Sequence, residues 1–352
     1  MNNGDMRRNR KRQGSAKRYK VRYDRIVAAV LVLIVMIVIL TSCVKSCSKD
    51  KKDSGGSSSS STTNSENQTQ SSIVDNLQTS DETSSIISSG TGTIQTTAAE
   101  FTVESHSFSD VNRGNLVLVN ANHEYKFLAD DITPSTLYDN IKTEYYSVGD
   151  YVIKLDIEVI NQLNALMEGF YQSSSNNDIV VIGGYRTLEE QNDKYYGGYS
   201  GFKGGFSDYH TGRTFDMSIF PKDGSSAGYY SPSGIYAWID NYAADYGFIV
   251  RFPEGKENYT GEQARTQTYR YIGTPHSLYI KQKGICLEEY IDIIKGYNNT
   301  KPLEIASGSK LYHVYYVPAN TDADTDVPVP SNKTYTVSGN NVDGFIVTVN
   351  MN

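Results

Sequence analysis

Apolar and polar positions follow three different patterns along the chain, and the first is a long apolar run. Residues 26–40 are apolar without interruption, and residues 41–44 extend the run without a charge. At a helical rise of 1.5 Å per residue, this stretch comes close to the thickness of a bilayer core. The pattern predicts a single membrane-spanning segment at residues 26–44.

The second pattern has almost no periodic apolar positions. Of the 50 residues 51–100, 23 are Ser or Thr. Such a composition buries too little apolar surface to offset the entropy lost when a backbone is ordered. It predicts a Ser/Thr-rich disordered linker at residues 45–100.

The third pattern begins near Phe101 and is that of a folded domain. Apolar residues at helical spacing alternate irregularly with short β-like apolar runs. Helices are predicted at Asp156–Tyr171, at Ser233–Tyr246 with Gly247 after its last turn, and at Leu287–Ile294; strands are predicted at Asn115–Tyr125 and Asp178–Thr187.

Because strands and helices are mixed rather than strictly alternating, the predicted fold class is α+β. We expect helices around a small antiparallel sheet in a domain at residues 101–298. Beyond it, three short β-like runs separated by Pro, Asn and Gly predict a β-rich C-terminal appendage at residues 299–352.

Charge is divided unequally along the chain. Residues 1–25 hold ten Lys or Arg and two Asp, whereas the whole chain has a net charge of −7. The basic tail before the apolar run predicts a cytoplasmic tail, with the body on the extracytoplasmic side of a cell membrane. The acidic body lacks the basic face that nucleic acid binding requires, so no nucleic acid partner is expected.

Cysteine positions leave two anchoring modes open. The segment could be an uncleaved signal anchor, or a signal peptide cleaved before a lipidated Cys43, since Leu40–Ser42 fits the pattern that precedes such a cysteine. Cys286 is isolated in the folded region, where it is expected to be a small buried apolar residue.

Four segments carry a family resemblance. They are GGYRTLEEQ from Gly183, SDYHTGRTFDM from Ser207, YGFIVRFPEGKENYTG from Tyr246 and YRYIGTPH from Tyr269. Together with LVLVNANHEY from Leu116, they resemble the VanY-type D-alanyl-D-alanine carboxypeptidases, zinc peptidases that remove the terminal D-Ala of peptidoglycan stem peptides. The resemblance extends over 116–295 and implies that fold, with stem peptides as partners.

The resemblance also implies a specific metal site. In the active family a zinc ion is held by His, Asp and His, a Glu acts as general base, and an Arg polarises the substrate carbonyl. The gapless match places Tyr209 at the first His, Asp216 at the Asp, Arg265 at the base and Thr268 at the last His. Only Asp216 is retained, so the substitutions predict a non-catalytic domain without a metal cofactor.

An active enzyme with rearranged zinc ligands is the alternative. Its ligands would come from His210, Asp216 and His276, with Asp208 as a further candidate. The opposing interpretation is that both histidines are ordinary structural polar residues. Zinc would be the cofactor only in the first case.

The substrate-facing positions of the family are retained. Tyr185, Arg186, Gln191 and Ser207 all match, and they are the predicted substrate-binding residues. The planar guanidinium of Arg186 suits a carbonyl or a carboxylate. A structural role, in a salt bridge with Asp216 or another acid, is the alternative for this arginine.

Overall fold

The computed structural model describes residues 99–352, and within them strands and short helices are mixed. The strands are β1 (Phe101–His106), β2 (Pro134–Thr136), β3 (Ser147–Val148), β4 (Lys154–Asp156), β5 (Ile179–Gly183), β6 (Thr214–Ile219), β7 (Gly228–Tyr229), β8 (Phe248–Phe252), β9 (Arg265–Tyr271), β10 (Leu303–Ser307), β11 (Lys310–Pro318), β12 (Thr325–Pro330), β13 (Tyr335–Gly339) and β14 (Gly344–Asn350). The α-helices are α1 (Leu137–Asn140), α2 (Ile157–Ser174), α3 (Leu188–Tyr196), α4 (Ala237–Tyr242), α5 (Glu257–Thr260), α6 (His276–Lys283) and α7 (Leu287–Ile294), and 3₁₀ helices occupy Phe108–Asn112, Asp208–Thr211, Gly234–Tyr236 and Ala243–Tyr246.

A six-stranded sheet forms the centre of the domain. Its order is β3-β5-β6-β9-β8, with β7 paired to the end of β6. All pairs are antiparallel except β3 with β5. This sheet with its surrounding helices confirms the predicted α+β class.

Helix α2 packs its apolar residues into the same core as the sheet. Asp156 caps its start, because the carboxylate accepts a 3.0 Å hydrogen bond from the backbone N–H of Glu158. Residues at helical spacing, including Ile160, Leu163 and Met167, are fully buried with apolar side chains of β5, β6 and β9. The predicted helix is therefore confirmed, and it extends three residues further.

The predicted strand at Asn115–Tyr125 is wrong. The segment has turns at residues 115–116 and 121–122 and forms no strand, although its apolar side chains are buried. Side chains rather than a neighbouring strand satisfy much of its backbone. Arg270 donates to the carbonyls of Asn115 and Val117 at 3.0 and 3.1 Å. Arg251 donates to the carbonyl of Val119 at 3.1 Å. Buried guanidinium groups thus replace a sheet partner.

The predicted helix at Ser233–Tyr246 is divided into three short pieces. A 3₁₀ turn, α4 and a second 3₁₀ turn follow one another over Gly234–Tyr246. The predicted end is confirmed, because Gly247 adopts a left-handed φ of 86° after the last turn. Helix α7 has the predicted bounds, and Cys286 before it is buried as expected.

The C-terminal residues are β-rich, as predicted, and their strands pack against the rest of the described residues. Strands β10, β11, β14 and β13 form a four-stranded antiparallel sheet, while β12 pairs with β1 near the start of the described residues. Val314 and Ile346 share one apolar cluster with Leu287 of α7. The boundary drawn at residue 299 therefore separates elements that pack against each other.

Three sequence-based assignments lie outside the described residues. They are the basic tail at 1–25, the apolar segment at 26–44 and nearly all of the linker at 45–100. Among the helices of residues 99–352, none is long and apolar enough to cross a bilayer.

Candidate functional site

The site lies on three adjacent strands of the central sheet. Asp216 of β6 is directly opposite Gly183 of β5 on one side and Thr268 of β9 on the other. A Cβ atom at Gly183 would lie 2.8 Å from Oδ2 of Asp216, so glycine leaves the room that this carboxylate occupies. The register of the sheet therefore fixes Asp216 and Thr268 side by side.

Two hydroxyl groups hold the carboxylate of Asp216. The phenol oxygen of Tyr209 lies 2.7 Å from Oδ1 and 2.8 Å from Oδ2, and donates its proton to this carboxylate. Oγ1 of Thr268 donates a second hydrogen bond of 2.7 Å to Oδ1. The structure thus brings together the three residues that the sequence match aligns with the family's metal ligands, in a cluster closed by its own hydrogen bonds.

Tyr209 is held in this position by the 3₁₀ helix Asp208–Thr211, which ends at Gly212 with a left-handed φ of 64°. Its side chain is buried, and burial together with the negative charge of Asp216 raises the pKa of the phenol far above its ordinary value. Tyr209 therefore stays protonated and acts as a donor to the carboxylate.

The residues at these positions do not fit a zinc ion. Zinc in proteins selects thiolate, imidazole and carboxylate ligands, and its catalytic sites have three of them. Here one carboxylate faces a protonated phenol and a threonine hydroxyl. Within the part of the chain that the structure describes, no group of three or more His, Cys, Asp or Glu side chains is placed to hold a metal ion.

His210, one residue beyond Tyr209, uses both ring nitrogens in structural hydrogen bonds. Nδ1 donates to the carbonyl of Arg186 at 2.7 Å, and Nε2 accepts from the backbone N–H of Gly205 at 3.0 Å. Burial lowers the pKa of the imidazole, which favours this neutral form. His210 fixes the Arg186 backbone relative to the 3₁₀ helix.

His276 lies at the start of α6 and is likewise engaged. Its Nδ1 is 2.6 Å from the hydroxyl of Tyr290, and its Nε2 is 2.9 Å from Oγ1 of Thr348. Burial lowers the pKa of His276 to about 3. The structure does not gather His276, His210 and Asp216 into one cluster, so the rearranged ligand set is not formed.

Asp208, the fourth candidate ligand, belongs to a buried ion network. Nη1 of Arg270 lies 2.8 Å from Oδ1, and Nε of Arg251 lies 3.2 Å from the same oxygen without donating a well-directed hydrogen bond. Arg251 also forms a two-point contact with Glu288 at 2.8 and 3.1 Å. Burial alone would raise the pKa of Asp208, but the two guanidinium groups hold it below its ordinary value.

Arg186 lies next to Tyr209, on the substrate-facing side predicted from the sequence. Its Cζ atom is 3.9 Å from the centre of the Tyr209 ring, and its Nη1 donates to Oε1 of Gln191 at 3.0 Å. Ser207 donates to the same oxygen of Gln191 at 3.2 Å. Three predicted binding residues therefore form one network, in which Gln191 and Ser207 are buried and position Arg186.

Tyr185, the fourth predicted binding residue, is half-buried. Its backbone N–H donates to the carbonyl of Lys154 at 2.8 Å, which ties the end of the GGYR segment to β4. Burial, with a smaller contribution from Glu190, raises the pKa of its hydroxyl.

Arg265, at the position of the family's general base, packs on aromatic rings. Its Cζ is 5.1 Å from the ring centre of Phe202 and 5.8 Å from that of Phe252. Its Nη2 lies 3.2 Å from Oε2 of Glu262. A permanently charged guanidinium cannot accept a proton from water near neutral pH.

A groove of about 260 Å³ adjoins the cluster. Phe202 links the two, because its ring contacts Tyr209 with centres 6.4 Å apart and also lines the groove. The other lining residues are Ala121, Tyr195, Gly201, Lys203, Phe206, Thr260, Gly261 and Glu262.

Sequence reasoning missed Phe202, Arg251 and Arg270. The sequence does indicate Arg251 and Arg270, because each is a charged residue inside a largely apolar strand pattern, FIVRF for Arg251 and TYRYI for Arg270. A charge in such a pattern is buried only with a partner, so the pattern predicts a buried ion pair. Phe202 has no such signal, because its glycine-rich surroundings predict a loop without indicating which ring turns inward.

Comparison with known proteins identifies the family of this chain. Residues 152–274 match the family model described as VanY, D-alanyl-D-alanine carboxypeptidase. A D-alanyl-D-alanine carboxypeptidase of Enterococcus faecium is 30% identical over 243 residues, which cover 68% of this chain and 76% of that protein. The bifunctional D-Ala-D-Ala dipeptidase and carboxypeptidase VanXYC of Enterococcus gallinarum is 27% identical over 157 residues, covering 41% of this chain and 81% of that protein.

A solved structure agrees with these relatives. The D,D-dipeptidase VanXYg, determined in complex with a D-Ala-D-Ala phosphinate analog, is similar with a TM-score of 0.62 at 29% identity, covering 71% of this chain and 99% of that chain. The chain belongs to the VanY D-alanyl-D-alanine carboxypeptidase family.

Proposed function

We propose that this chain is a non-catalytic member of its family that binds peptidoglycan stem peptides. The observation that carries the proposal is the pair of hydrogen bonds from Tyr209 and Thr268 to Asp216. The hydroxyls occupy the two ligand positions that flank the retained carboxylate. They also use its lone pairs, which a metal ion would otherwise take.

Loss of the general base supports the same proposal. Hydrolysis by the family mechanism needs a group that accepts a proton from the attacking water. Arg265 stands at that position, stays charged and is paired with Glu262. Both the ligand set and the base are therefore replaced together.

Retention of the substrate-facing side supports binding. Arg186, Gln191 and Ser207 form an ordered network beside a groove of about 260 Å³. VanXYg was determined with a D-Ala-D-Ala analog bound, so the scaffold accommodates such ligands in a relative. We infer that the ligand of this chain is a stem peptide ending in D-Ala.

We further propose that residues 26–44 anchor the chain in a cell membrane with its body on the extracytoplasmic side. The support comes from the sequence: an uninterrupted apolar run follows a strongly basic tail and precedes a Ser/Thr-rich spacer. Such a spacer would let the domain reach peptidoglycan from the membrane surface.

One experiment on the purified full-length chain tests the proposed function. A stem pentapeptide ending in D-Ala-D-Ala is added, and binding, release of D-Ala and zinc content are measured together. We expect saturable binding, no release of D-Ala above background and no zinc after dialysis. Stoichiometric zinc that resists dialysis, with D-Ala release that is lost on Asp216→Ala, would overturn the proposal.

A further inference from the structure

Two tyrosines near the end of α3 are the most exposed large apolar or aromatic side chains of residues 99–352. Tyr199 is 85% exposed and Tyr196 is 76% exposed, and the partly exposed Tyr195 precedes them. Single exposed apolar side chains are normal on a protein surface, whereas a cluster of them marks an interaction site. We refer to Tyr195, Tyr196 and Tyr199 as the tyrosine face.

The backbone holds the tyrosine face in place. The N–H of Tyr199 donates to the carbonyl of Lys194 at 2.8 Å, and the N–H of Gly198 donates to the carbonyl of Tyr195 at 3.1 Å. A Cβ atom at Gly197 would lie 2.9 Å from Cδ2 of Tyr199, so the absence of a side chain there lets this ring lie against the backbone. Rings that are positioned in advance lose little freedom when a ligand binds.

The tyrosine face continues the groove that adjoins the candidate site. Tyr195 lines this groove together with Phe202, whose ring contacts Tyr209. On its other side, the ring of Tyr195 meets the ring of Tyr196 edge to face, with centres 5.3 Å apart. A ligand that extends along the groove away from Tyr209 therefore reaches exposed tyrosine rings.

Charge around the tyrosine face favours an uncharged ligand. Residues 188–206 contain three acids and two lysines, so the segment lacks the positive charge that an anionic polymer requires. Tyrosine has a flat apolar ring and a polar hydroxyl group. A sugar ring is complementary to both, because it presents an apolar C–H face and hydroxyl groups at its edge.

We propose that the tyrosine face binds the glycan strand of peptidoglycan, with N-acetylhexosamine rings stacked on Tyr196 and Tyr199. The ligand class is uncharged, β-linked amino-sugar polymers. The inference rests on the proposed function, because the glycan is the polymer to which the proposed stem-peptide ligand is attached. A stem peptide whose D-Ala end lies at the candidate site carries its sugar toward the outer part of the groove.

The test compares three probes on the purified full-length chain by calorimetry. They are a free stem pentapeptide, a tetrasaccharide of N-acetylglucosamine and N-acetylmuramic acid bearing that peptide, and the peptide-free tetramer of N-acetylglucosamine. We expect the glycopeptide to bind about 10- to 100-fold more tightly than the free peptide, since two linked contacts reinforce each other. The peptide-free tetramer should bind weakly but measurably.

Variants of the exposed tyrosines show whether the rings are responsible. Tyr196→Ala with Tyr199→Ala should remove the gain in affinity for the glycopeptide and leave the affinity for the free peptide unchanged. Tyr196→Phe with Tyr199→Phe retains the stacking surface, so it should keep most of the gain. Tyr151→Ala is the matched control, because Tyr151 is 69% exposed but packs against Tyr138; all three affinities should stay as in wild type.

The outcomes separate this inference from the proposed function. Equal affinity for the glycopeptide and the free peptide, or a gain that persists in the double alanine variant, would overturn the glycan surface and leave stem-peptide binding intact. Dimerisation in sedimentation experiments that the double alanine variant abolishes would overturn it in favour of a second copy of the chain. Tyrosine-dependent binding of the peptide-free tetramer without any binding of the stem peptide would support the glycan surface and overturn the proposed function.

Discussion

Thr268 donates a 2.7 Å hydrogen bond to Asp216 from the directly opposite position on the adjacent strand, although the two residues are 52 positions apart. The contact is set by the register of β6 with β9, so it does not depend on a flexible loop. Together with the hydrogen bond from Tyr209, it closes a hydrogen-bond cluster around the carboxylate of Asp216. Three predictions test that cluster and the charges around it, and a fourth tests a buried histidine.

The first prediction concerns the stability that the cluster contributes. Tyr209→Phe and Thr268→Val should each lower the free energy of unfolding by about 1 kcal/mol, because each removes one hydrogen bond to a half-buried carboxylate. The double variant should cost at least about 0.5 kcal/mol more than the two single costs combined, since Asp216 then keeps neither donor. Urea unfolding gives all three values.

Tyr195→Phe is the matched control, because that hydroxyl belongs to an exposed side chain. It should change the free energy of unfolding by less than about 0.5 kcal/mol. If the losses in free energy of unfolding caused by Tyr209→Phe and Thr268→Val simply add in the double variant, the two hydroxyls do not act in a shared cluster.

The second prediction is that a zinc site can be built around Asp216 by substitution. A triple variant, Tyr209→His with Thr268→His and Arg265→Glu, supplies the two His ligands and the Glu base that the family resemblance implies beside Asp216. We expect zinc content after dialysis to rise to about one ion per chain, because three such ligands suffice for a catalytic site. Elemental analysis measures the metal, and release of D-Ala from a stem pentapeptide measures activity.

Adding Asp216→Ala to the triple variant provides the control, and it should abolish zinc retention. A triple variant that folds but retains no zinc would show that the surrounding geometry has diverged beyond the three side chains.

Much of the arrangement around Asp216 could be predicted from the sequence. The gapless motif spacing placed Tyr209, Asp216 and Thr268 at equivalent positions, and sheet register then brings them together. The bonding of His276 to Tyr290 and Thr348 could not be predicted, because it depends on how β14 packs against α6 and α7. The strand predicted before Tyr125 is not formed, because periodicity reports burial and not the identity of the hydrogen-bond partner.

The third prediction concerns the buried ion network. Asp208→Asn should lower the free energy of unfolding by about 3–5 kcal/mol, because it leaves the guanidinium groups of Arg251 and Arg270 buried with less compensation. Both arginine side chains are 0% exposed. Asp322→Asn, at an exposed loop position, is the control and should have little effect.

The network also has a pH signature. Since the pKa of Asp208 is held below its ordinary value of 3.8, its ion pairs contribute fully above that value. Their contribution is lost as pH falls below 3.8 toward the lower folded-state pKa. Urea unfolding between pH 5 and 2 should show wild type losing stability faster than Asp208→Asn; parallel curves would contradict this assignment.

The fourth prediction concerns His276, whose pKa is lowered by burial from 6.5 to about 3. Between these values the unfolded chain binds a proton that the folded chain excludes, so stability falls as pH falls from 6.5. This one group contributes a slope of up to about 1.4 kcal/mol per pH unit. His276→Gln should remove that slope between pH 4 and 6 in urea unfolding.

Thr348→Val serves as the comparison for His276. It removes one hydrogen bond to the ring but leaves the titrating imidazole in place. It should lower stability at every pH without changing the slope. A slope that is unchanged in His276→Gln would assign the pH dependence to other groups.

Residues 115–119 connect β8 and β9 to the C-terminal part of the chain through backbone hydrogen bonds. Arg251 of β8 donates to the carbonyl of Val119, and Arg270 of β9 donates to the carbonyls of Asn115 and Val117. From the C-terminal part of the chain, Asn341 donates to the carbonyl of Leu118 at 2.7 Å, and the carbonyl of Asn340 accepts from the N–H of Leu118 at 3.0 Å. A fragment ending at residue 298 would remove both partners of Leu118 and the part of the apolar cluster around α7 that β10, β11 and β14 supply. We therefore expect residues 101–298 not to fold on their own, because the strands beyond them complete the same apolar cluster as α7.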